Sequence, residues 1–167
     1  MAQTIRILGI DPGLRHTGWG VIEQTGARLA HIAHGVIQPD PKMDLALRLA
    51  EIFSNVSDLV ENYRPDASGI EETLVNAGYR NALKLGQARG AAMAALAITG
   101  VHVAEFAPRK IKLAVVGTGG ADKDQVAFMV KRLLPRAGEM KSDAADALAC
   151  AICAANHMPL DLKKGAA

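Results

Sequence analysis

The stretch that decides the fold is Ile5-Arg6-Ile7-Leu8-Gly9-Ile10-Asp11-Pro12-Gly13. Its apolar run has the length of a strand and ends at a Pro-Gly turn, which predicts a central strand buried on both faces. The strand ends in Asp11, and a carboxylate at the margin of a core is costly unless it is paired or bound to a cation. Asp11 therefore has two interpretations, an Asx-type cap of the turn or a ligand in a functional site.

Length and composition limit the classes of protein that this chain can be. Of its 167 residues 50% are hydrophobic and 22% charged, so we expect residues 1–160 to form one domain that folds alone, followed by a short tail, 161–167. No apolar run reaches the roughly 18 residues of a membrane span, and the N-terminus lacks the layout of a signal peptide. We therefore expect a cytosolic protein with no membrane partner. The net charge of +2 permits an anionic partner without requiring one.

The two cysteines, Cys150 and Cys153, have the CxxC spacing of redox and zinc sites. Two thiols cannot complete a four-ligand zinc site, and the surrounding run of alanines and apolar residues is typical of a packed helix. We therefore favour buried small residues over a redox or zinc site.

The first third of the chain predicts an antiparallel meander. A second strand is expected within residues 14–23 and a third over residues 28–37, after turns at Gly13 and Gly26. His31 and His34 are three apart on the third strand, so regular alternation places them on opposite faces. Apolar residues at steps of three or four then predict an amphipathic helix over residues 44–62.

The next predicted strand, residues 67–71, also ends in a carboxylate, Glu71. A helical connection makes this strand parallel to the first, so Asp11 and Glu71 should meet at the edge of the sheet where open α/β folds place their sites. Glu72 should point away into solvent. A helix over residues 81–99 follows, in which Gly86 and Gly90 indicate close packing, either against another subunit or within the chain.

A fifth strand is expected over residues 101–106, and the segment after Pro108 is basic and broken by glycines. Such a charge run is either a solvated face or a track for the phosphate backbone of a nucleic acid. Its cations are Arg109, Lys110, Lys112 and Lys123. A helix over residues 121–134 follows, and Asp122 and Gln125 have capping-box spacing at its start.

The last predicted helix begins at Ser142, a good cap, and carries Asp143 and Asp146. Positions three apart share a helix face, so the two carboxylates project together. Favourable interaction with the helix dipole is the alternative explanation of both acids, although it fits Asp146 less well because the helix is otherwise apolar. Together with Asp11 and Glu71, these acids supply the oxygen ligands that a hard divalent cation prefers.

Five motifs follow one another in order between about Arg6 and His157. They are Gly9-Ile-Asp-Pro-Gly13 with Thr17-Gly18, Ile70-Glu71, Leu83-Lys-Leu-Gly-Gln-Ala-Arg-Gly90, Val115-Val-Gly117 and Asp143-Ala-Ala-Asp-Ala-Leu-Ala149. In this combination the chain resembles the RuvC family of bacterial Holliday-junction resolvases.

The resemblance implies an RNase H-like α/β fold with a five-stranded mixed sheet flanked by helices. It also implies a homodimer that nicks two opposed strands of a four-way DNA junction during recombination and repair. The RuvA and RuvB branch-migration proteins are the partners it implies. The family's acidic positions fall on Asp11, Glu71, Asp143 and Asp146, and two of its basic positions fall on Lys112 and Lys123.

We expect the four acids to be both catalytic and metal-binding, with two Mg²⁺ ions per active site and Mn²⁺ as a substitute, and with a 5′-phosphate product. Arg109, Lys112 and Lys123 are the expected DNA-binding cations. Family members often carry an aromatic residue where this chain has Leu74. Leu74 is therefore the expected contact near the junction crossover, with Tyr79 as the alternative.

Two other functions fit part of the sequence. A junction-binding module without catalysis would share the basic segment, but an acidic quartet hinders DNA binding unless a metal is used. The turn after Asp11 also resembles the phosphate loop of actin-like kinases. That phosphotransferase alternative requires two lobes closing on a nucleotide, and 167 residues leave room for one.

Overall fold

The structure is a computed structural model that describes residues 2–72 and 78–158. Five strands and five helices lie within those ranges. In chain order they are β1 (Thr4–Asp11), β2 (Thr17–Thr25), β3 (Arg28–Ile37), α1 (Leu45–Tyr63), β4 (Ala67–Glu71), α2 (Tyr79–Ile98), β5 (His102–Phe106), α3 (Pro108–Val116), α4 (Lys123–Leu133) and α5 (Ser142–His157). No helix among the described residues is both long and apolar enough to cross a membrane.

The five strands form one mixed sheet in the order β3-β2-β1-β4-β5. The strands β1, β2 and β3 are antiparallel neighbours, as the meander prediction required, and β1, β4 and β5 run parallel. The central strand β1 is buried on both faces, since Ile7, Leu8 and Ile10 are all 0% exposed. The predicted five-stranded mixed sheet is therefore confirmed.

Side-chain alternation along β1 divides the core into two layers. Ile5 and Ile7 pack into a cluster with α3, α4 and α5 on one face of the sheet. Leu8 and Ile10 pack into a second cluster with α1 and α2 on the other face. Asp11 has the same parity as Ile7, so its side chain belongs to the face that α5 covers.

Helix α5 lies directly against β1 and β2 because glycines remove side chains at the contact. A Cβ at Gly9 would collide with the carbonyl of Ala147, and one at Gly18 would collide with the carbonyl of Asp143. The buried part of α5 consists mostly of alanines, with Leu148, Ile152 and both cysteines, which confirms that Cys150 and Cys153 are buried. Small residues on both sides let the helix approach the end of the sheet closely.

The two histidines of β3 contact each other, which contradicts their predicted placement on opposite faces. His31 Nε2 and His34 Nδ1 are 2.8 Å apart and share a hydrogen bond. The register between β2 and β3 shifts at Val21 and Ile22, which leaves Ile32 without a cross-strand partner. A bulge of this kind interrupts regular alternation, and the prediction had assumed that alternation.

Helix α3 was missed in the basic segment after β5. Its signals are present in the sequence: Pro108 occupies the first turn, Ile111 and Val115 are buried at helical spacing, and Gly117 ends the helix with a φ of +88°. The helix was not predicted because its apolar spacing rests on only two residues and is followed directly by several glycines.

Helix α5 begins without the predicted cap. Lys141 is the N-cap residue and no side chain caps the helix, while Ser142 is the first helical residue. Asp143 therefore lies in the first turn and Asp146 lies beyond it. By contrast, the capping box of Asp122 and Gln125 at the start of α4 is confirmed.

Candidate active site

Two neighbouring parallel strands deliver Asp11 and Glu71 to the same edge of the sheet. Gly9 pairs with Gly69 and Ile10 pairs with Ile70, so the next position on each strand is an acid. Gly69 faces α5, as Gly9 does. The acids two positions further along, Asp11 and Glu71, consequently share that face. Glu72 is exposed, as predicted.

The turn after Asp11 is held by Thr17 at the start of β2. Its hydroxyl donates to the carbonyl of Gly13 at 2.7 Å and accepts from the Gly13 amide at 3.2 Å. Thr17 is fully buried. These hydrogen bonds close the turn without any contribution from Asp11, so the carboxylate is available to the site.

The first two turns of α5 bring Asp143 and Asp146 to the same edge. Both residues interact electrostatically with Asp11, which the glycine contacts between α5 and the sheet make possible. An acid in the first turn is explained by the helix dipole. Because Asp146 lies beyond that turn, the dipole accounts for Asp143 better than for Asp146.

Burial and like charges raise the pKa of Asp11 from 3.8 to about 8. Burial is the largest cause, and the charges of Asp146, Glu71 and Asp143 follow in that order. Lys123 opposes the shift without cancelling it. The ionised form of Asp11 is therefore strongly disfavoured in the protein alone, which is the expected result of burying a carboxylate beside other carboxylates without a counter-ion.

The pKa values of Glu71 and Asp146 are also raised, in both cases mainly by burial. Lys112 and Lys123 lower both values in part. Lys123 Nζ lies 3.4 Å from Asp146 Oδ2, and the lysine side chain is 81% exposed. An ion pair with so exposed a partner is weak, so two lysines only partly compensate the acids.

Two adjoining clefts surround these side chains. The first, which we call the acidic cleft, has a volume of about 220 Å³ and is lined by Asp11, Glu71, Lys112, Lys123 and Asp146, among others. The second, which we call the turn cleft, has a volume of about 690 Å³ and is lined by Asp11, Asp143, Arg15, His16, Arg48 and Lys84, among others. Because Asp11 lines both, it lies on the ridge between them.

The donor chemistry of this cluster fits a hard divalent cation. All four acids offer carboxylate oxygens, and a cation would offset the burial and the repulsion that raise the pKa of Asp11. Among residues 2–72 and 78–158, no three acid, histidine or cysteine side chains already stand at metal-binding geometry. The four acids would therefore have to come closer together to hold an ion jointly.

The predicted DNA-binding residues fall in different places. Lys112 and Lys123 line the acidic cleft. Arg109 instead packs its side chain over Gly119, where an added Cβ would lie 2.8 Å from Arg109 Nε. Leu74 lies outside the described residues. Tyr79 begins α2 and is 77% exposed.

Arg89 of α2 was not among the predicted site residues, yet it holds the end of β4. Its Nε donates to the carbonyl of Glu71 at 3.0 Å, and its guanidinium also pairs with Glu105 of β5. An arginine between buried alanines on a helix is the available sequence signal. Its partners could not be predicted, because they depend on how α2 packs across the sheet.

Comparison with known proteins agrees with this geometry. Residues 7–154 match the family described as crossover junction endodeoxyribonuclease RuvC. The crossover junction endodeoxyribonuclease RuvC of Hyphomonas neptunium is 74% identical over 167 residues, which is all of both chains. The one from Caulobacter vibrioides is 54% identical over 90% of this chain and 89% of the relative.

The fold is similar to that of a solved RuvC from T. thermophilus in complex with a Holliday junction substrate. The TM-score is 0.87 and the identity 32%, over 95% of this chain and 97% of the other. The predicted RNase H-like arrangement is thereby confirmed.

Proposed function

The chain belongs to the crossover junction endodeoxyribonuclease RuvC family, and we propose that it resolves four-way DNA junctions by paired, symmetric, metal-dependent nicks in recombination and repair. The observation that carries this proposal is the convergence of Asp11, Glu71 and Asp146 on one cleft that two lysines also line. Neither alternative keeps support: the phosphotransferase does not match the family, and a module that only binds DNA has no use for the acids.

The site proposal assigns Asp11, Glu71, Asp143 and Asp146 as the catalytic and metal-binding residues. We propose Mg²⁺ as the natural ion, two per site, with Mn²⁺ as a substitute. When bound, such ions supply the Lewis acidity for an in-line displacement at phosphorus that leaves a 5′-phosphate.

The chain's own residues prepare this chemistry. The close packing of α5 on Gly9 and Gly18 fixes the two helical acids relative to Asp11. Arg89 fixes the backbone at Glu71. Lys112 and Lys123 lower the pKa of Glu71 and of Asp146, which favours the ionised forms that bind a cation, and they place positive charge where a DNA phosphate would lie. Arg109, which does not line the acidic cleft, and Leu74 remain proposed DNA contacts.

We propose a homodimer that pairs through α2. Two symmetric incisions need two sites related by a twofold axis. Tyr79, Leu83 and Ile98 are 77%, 61% and 75% exposed, and an added Cβ at Gly86 or Gly90 would meet no described atom within 4 Å. These glycines therefore gain nothing from packing within the described chain, and an open apolar face is available to a second copy.

The family resemblance also leads us to propose RuvA and RuvB as partners. Likewise, we propose that residues 1–160 form one nuclease domain and that 161–167, which lie outside the described residues, form a tail. Co-purification of RuvA or RuvB with the tagged chain in the presence of junction DNA tests the partners.

A matched pair of variants tests the nuclease proposal. Asp146→Asn keeps the shape of the side chain but removes a metal ligand, so Mg²⁺-dependent nicking of a four-way junction should fall by at least about 100-fold. Glu72→Gln removes an exposed acid beside the site and should nick at the wild-type rate. Plain duplex of the same sequence serves as the substrate control.

Two further measurements on Asp146→Asn separate catalysis from folding. Thermal unfolding should stay close to wild type, and junction binding without metal should be equal or tighter because a charge that repels phosphate is gone. If acids here only served the helix dipole, stability would fall by about 0.3–1 kcal/mol with nicking unchanged. A stable variant that nicks normally would remove Asp146 from the site.

A further inference from the structure

The turn cleft adjoins the proposed catalytic acids and is itself rich in cations. Apart from Asp11 and Asp143 at its margin, its charged lining residues are Arg15, Arg48 and Lys84. These three come from separate parts of the fold, namely the turn after β1, the first turns of α1 and the first turns of α2. Their convergence is a product of the tertiary structure, unlike a charge run along one exposed helix face.

Arg48 is the best-fixed cation of the three. It is half-buried, and its Nη2 donates to the carbonyl of Leu14 at 3.0 Å. Its Nε is buried without any hydrogen-bond partner. No carboxylate of the described residues pairs with it within 4.0 Å. A buried donor without an acceptor costs stability, so the guanidinium of Arg48 keeps hydrogen-bonding capacity that the described residues do not use.

The chemistry of Arg48 selects the class of ligand. A guanidinium presents a planar fork of N–H donors that matches a phosphate group in a bidentate manner. Arg15 and Lys84 are exposed and add positive charge around that fork. The cleft therefore suits a phosphate group.

The position of the cleft identifies the source of that phosphate. Lys112 and Lys123 line the acidic cleft, Arg15, Arg48 and Lys84 line the turn cleft, and Asp11 lies between the two clefts because it lines both. Cations that flank a row of acids on both sides fit a strand with successive phosphates better than a single free anion. A strand laid across Asp11 would place neighbouring phosphates in the two clefts.

We propose that the turn cleft is a second phosphate subsite, in which Arg48, assisted by Arg15 and Lys84, holds a backbone phosphate next to the scissile one. The inference rests on the proposed nuclease function and deepens it. By fixing the strand on the far side of Asp11, the subsite would set the position of the scissile phosphate over the acids. Arg48 is thus a positioning residue.

Salt-dependent binding provides the first test. Junction affinity is measured without divalent metal over a range of NaCl for wild type, Arg48→Ala, Lys84→Ala and the control Arg28→Ala. Arg28 begins β3 opposite Thr25, at the end of the sheet remote from Asp11. Each subsite variant should weaken binding and flatten the plot of log affinity against log salt by up to about 0.9. Arg28→Ala should leave the slope unchanged.

Neutral linkages in the DNA provide the second test. Junctions are prepared with a single methylphosphonate at successive positions around the cut, and the affinity of each junction is measured for wild type and for Arg48→Ala. At the one or two linkages that the subsite holds, the neutral group should weaken junction binding by wild type. It should not weaken binding by Arg48→Ala any further, because both changes remove the same contact. Losses that multiply at every position would overturn the subsite.

The outcomes distinguish a failure of the subsite from a failure of the proposed nuclease function. If wild type does not nick or bind the junction, the proposed function and the subsite both fail. If wild type nicks and binds but Arg48→Ala and Lys84→Ala keep the slope of Arg28→Ala, only the subsite fails. Should Arg48→Ala unfold, because it loses the bond to Leu14, the exposed Lys84→Ala decides on the same criterion.

Discussion

In the proposed metal site, Asp11 couples the protonation of the site to its occupancy by cations. Because its pKa in the folded protein is raised to about 8, the carboxyl group still carries its proton through most of the neutral range when no metal is present. A cation that binds the carboxylate must displace that proton. Metal affinity should consequently rise with pH and level off near pH 8, the pKa of Asp11.

This raised pKa predicts how the stability of the metal-free protein depends on pH. Between about pH 4 and pH 8 the folded state binds a proton at Asp11 that the unfolded state, with a pKa of 3.8, has released. The free energy of unfolding should therefore fall as pH rises through this window, by at most about 1.4 kcal/mol per pH unit from this group. Urea denaturation in EDTA at several pH values measures it.

Two controls isolate Asp11 in that experiment. Asp11→Asn cannot ionise, so its stability should decline less steeply than that of wild type between about pH 4 and pH 8, with Glu71 and Asp146, whose pKa values are also raised, still contributing. Saturating Mg²⁺ should also reduce the decline in wild type, because the cation stabilises the ionised folded state. An Asp11→Asn variant that keeps the full wild-type decline would show that other groups cause it.

At the scale of single residues, the four acids could be predicted from the sequence, but the arginines that hold the backbone near them could not. Asp11 and Glu71 were predictable because each ends an apolar strand, and Asp143 and Asp146 because they share a helix face in an alanine-rich run. Arg48 and Arg89 act through backbone carbonyls of Leu14 and Glu71. A basic residue on a helix gives no local sign of which distant carbonyl it will meet.

At the scale of helices and strands, a regular sequence pattern was enough to predict an element, whereas a bulge and a short helix were not predicted. The bounds predicted for β3 and β4 match the structure. Strand β3 lies between turn residues at Gly26 and Pro39, and β4 begins just after Pro65. The pairing of His31 with His34 depends on a bulge in β3, and a single-strand pattern does not encode its partner's register. Helix α3 was missed because two buried residues give too short a period against a run of charges.

The open face of α2 leads to a prediction about assembly. Leu83 on α2 and Phe128 on α4 are large apolar residues with nearly equal exposure, 61% and 60%. If α2 pairs across a twofold axis, Leu83→Glu places like charges opposite each other and removes apolar contact, so the dimer dissociation constant should rise by at least about tenfold. Phe128→Glu makes the same chemical change elsewhere and should leave the dimer intact.

Sedimentation equilibrium over a range of protein concentrations measures both variants. Circular dichroism checks that each remains folded, which we expect because both side chains are exposed. Equal weakening of the dimer by the two changes, or no change with Leu83→Glu, would contradict pairing through α2.

For the whole molecule, the layered sheet explains why each chain holds one site. The parallel strands β1 and β4 end at the same edge of the sheet, and α5 packs against that edge, so Asp11, Glu71 and Asp146 line one cleft. The alternating order of strands and helices was enough to predict this edge, since parallel strands joined through helices end on the same side. The second site that paired nicks need would come from the second copy in the proposed dimer.

A dimer with one inactive subunit tests whether two cuts need two sites. Wild-type and Asp146→Asn subunits, carrying different affinity tags, are co-expressed and the mixed dimer is purified through both tags. On a supercoiled plasmid with an extruded cruciform, paired nicks linearise the circle, whereas one nick relaxes it. Because each subunit contributes its own acidic cleft, the mixed dimer should give relaxed circles, and the doubly tagged wild-type dimer should give linear product. Linear product from the mixed dimer at the wild-type rate would show that one site makes both cuts.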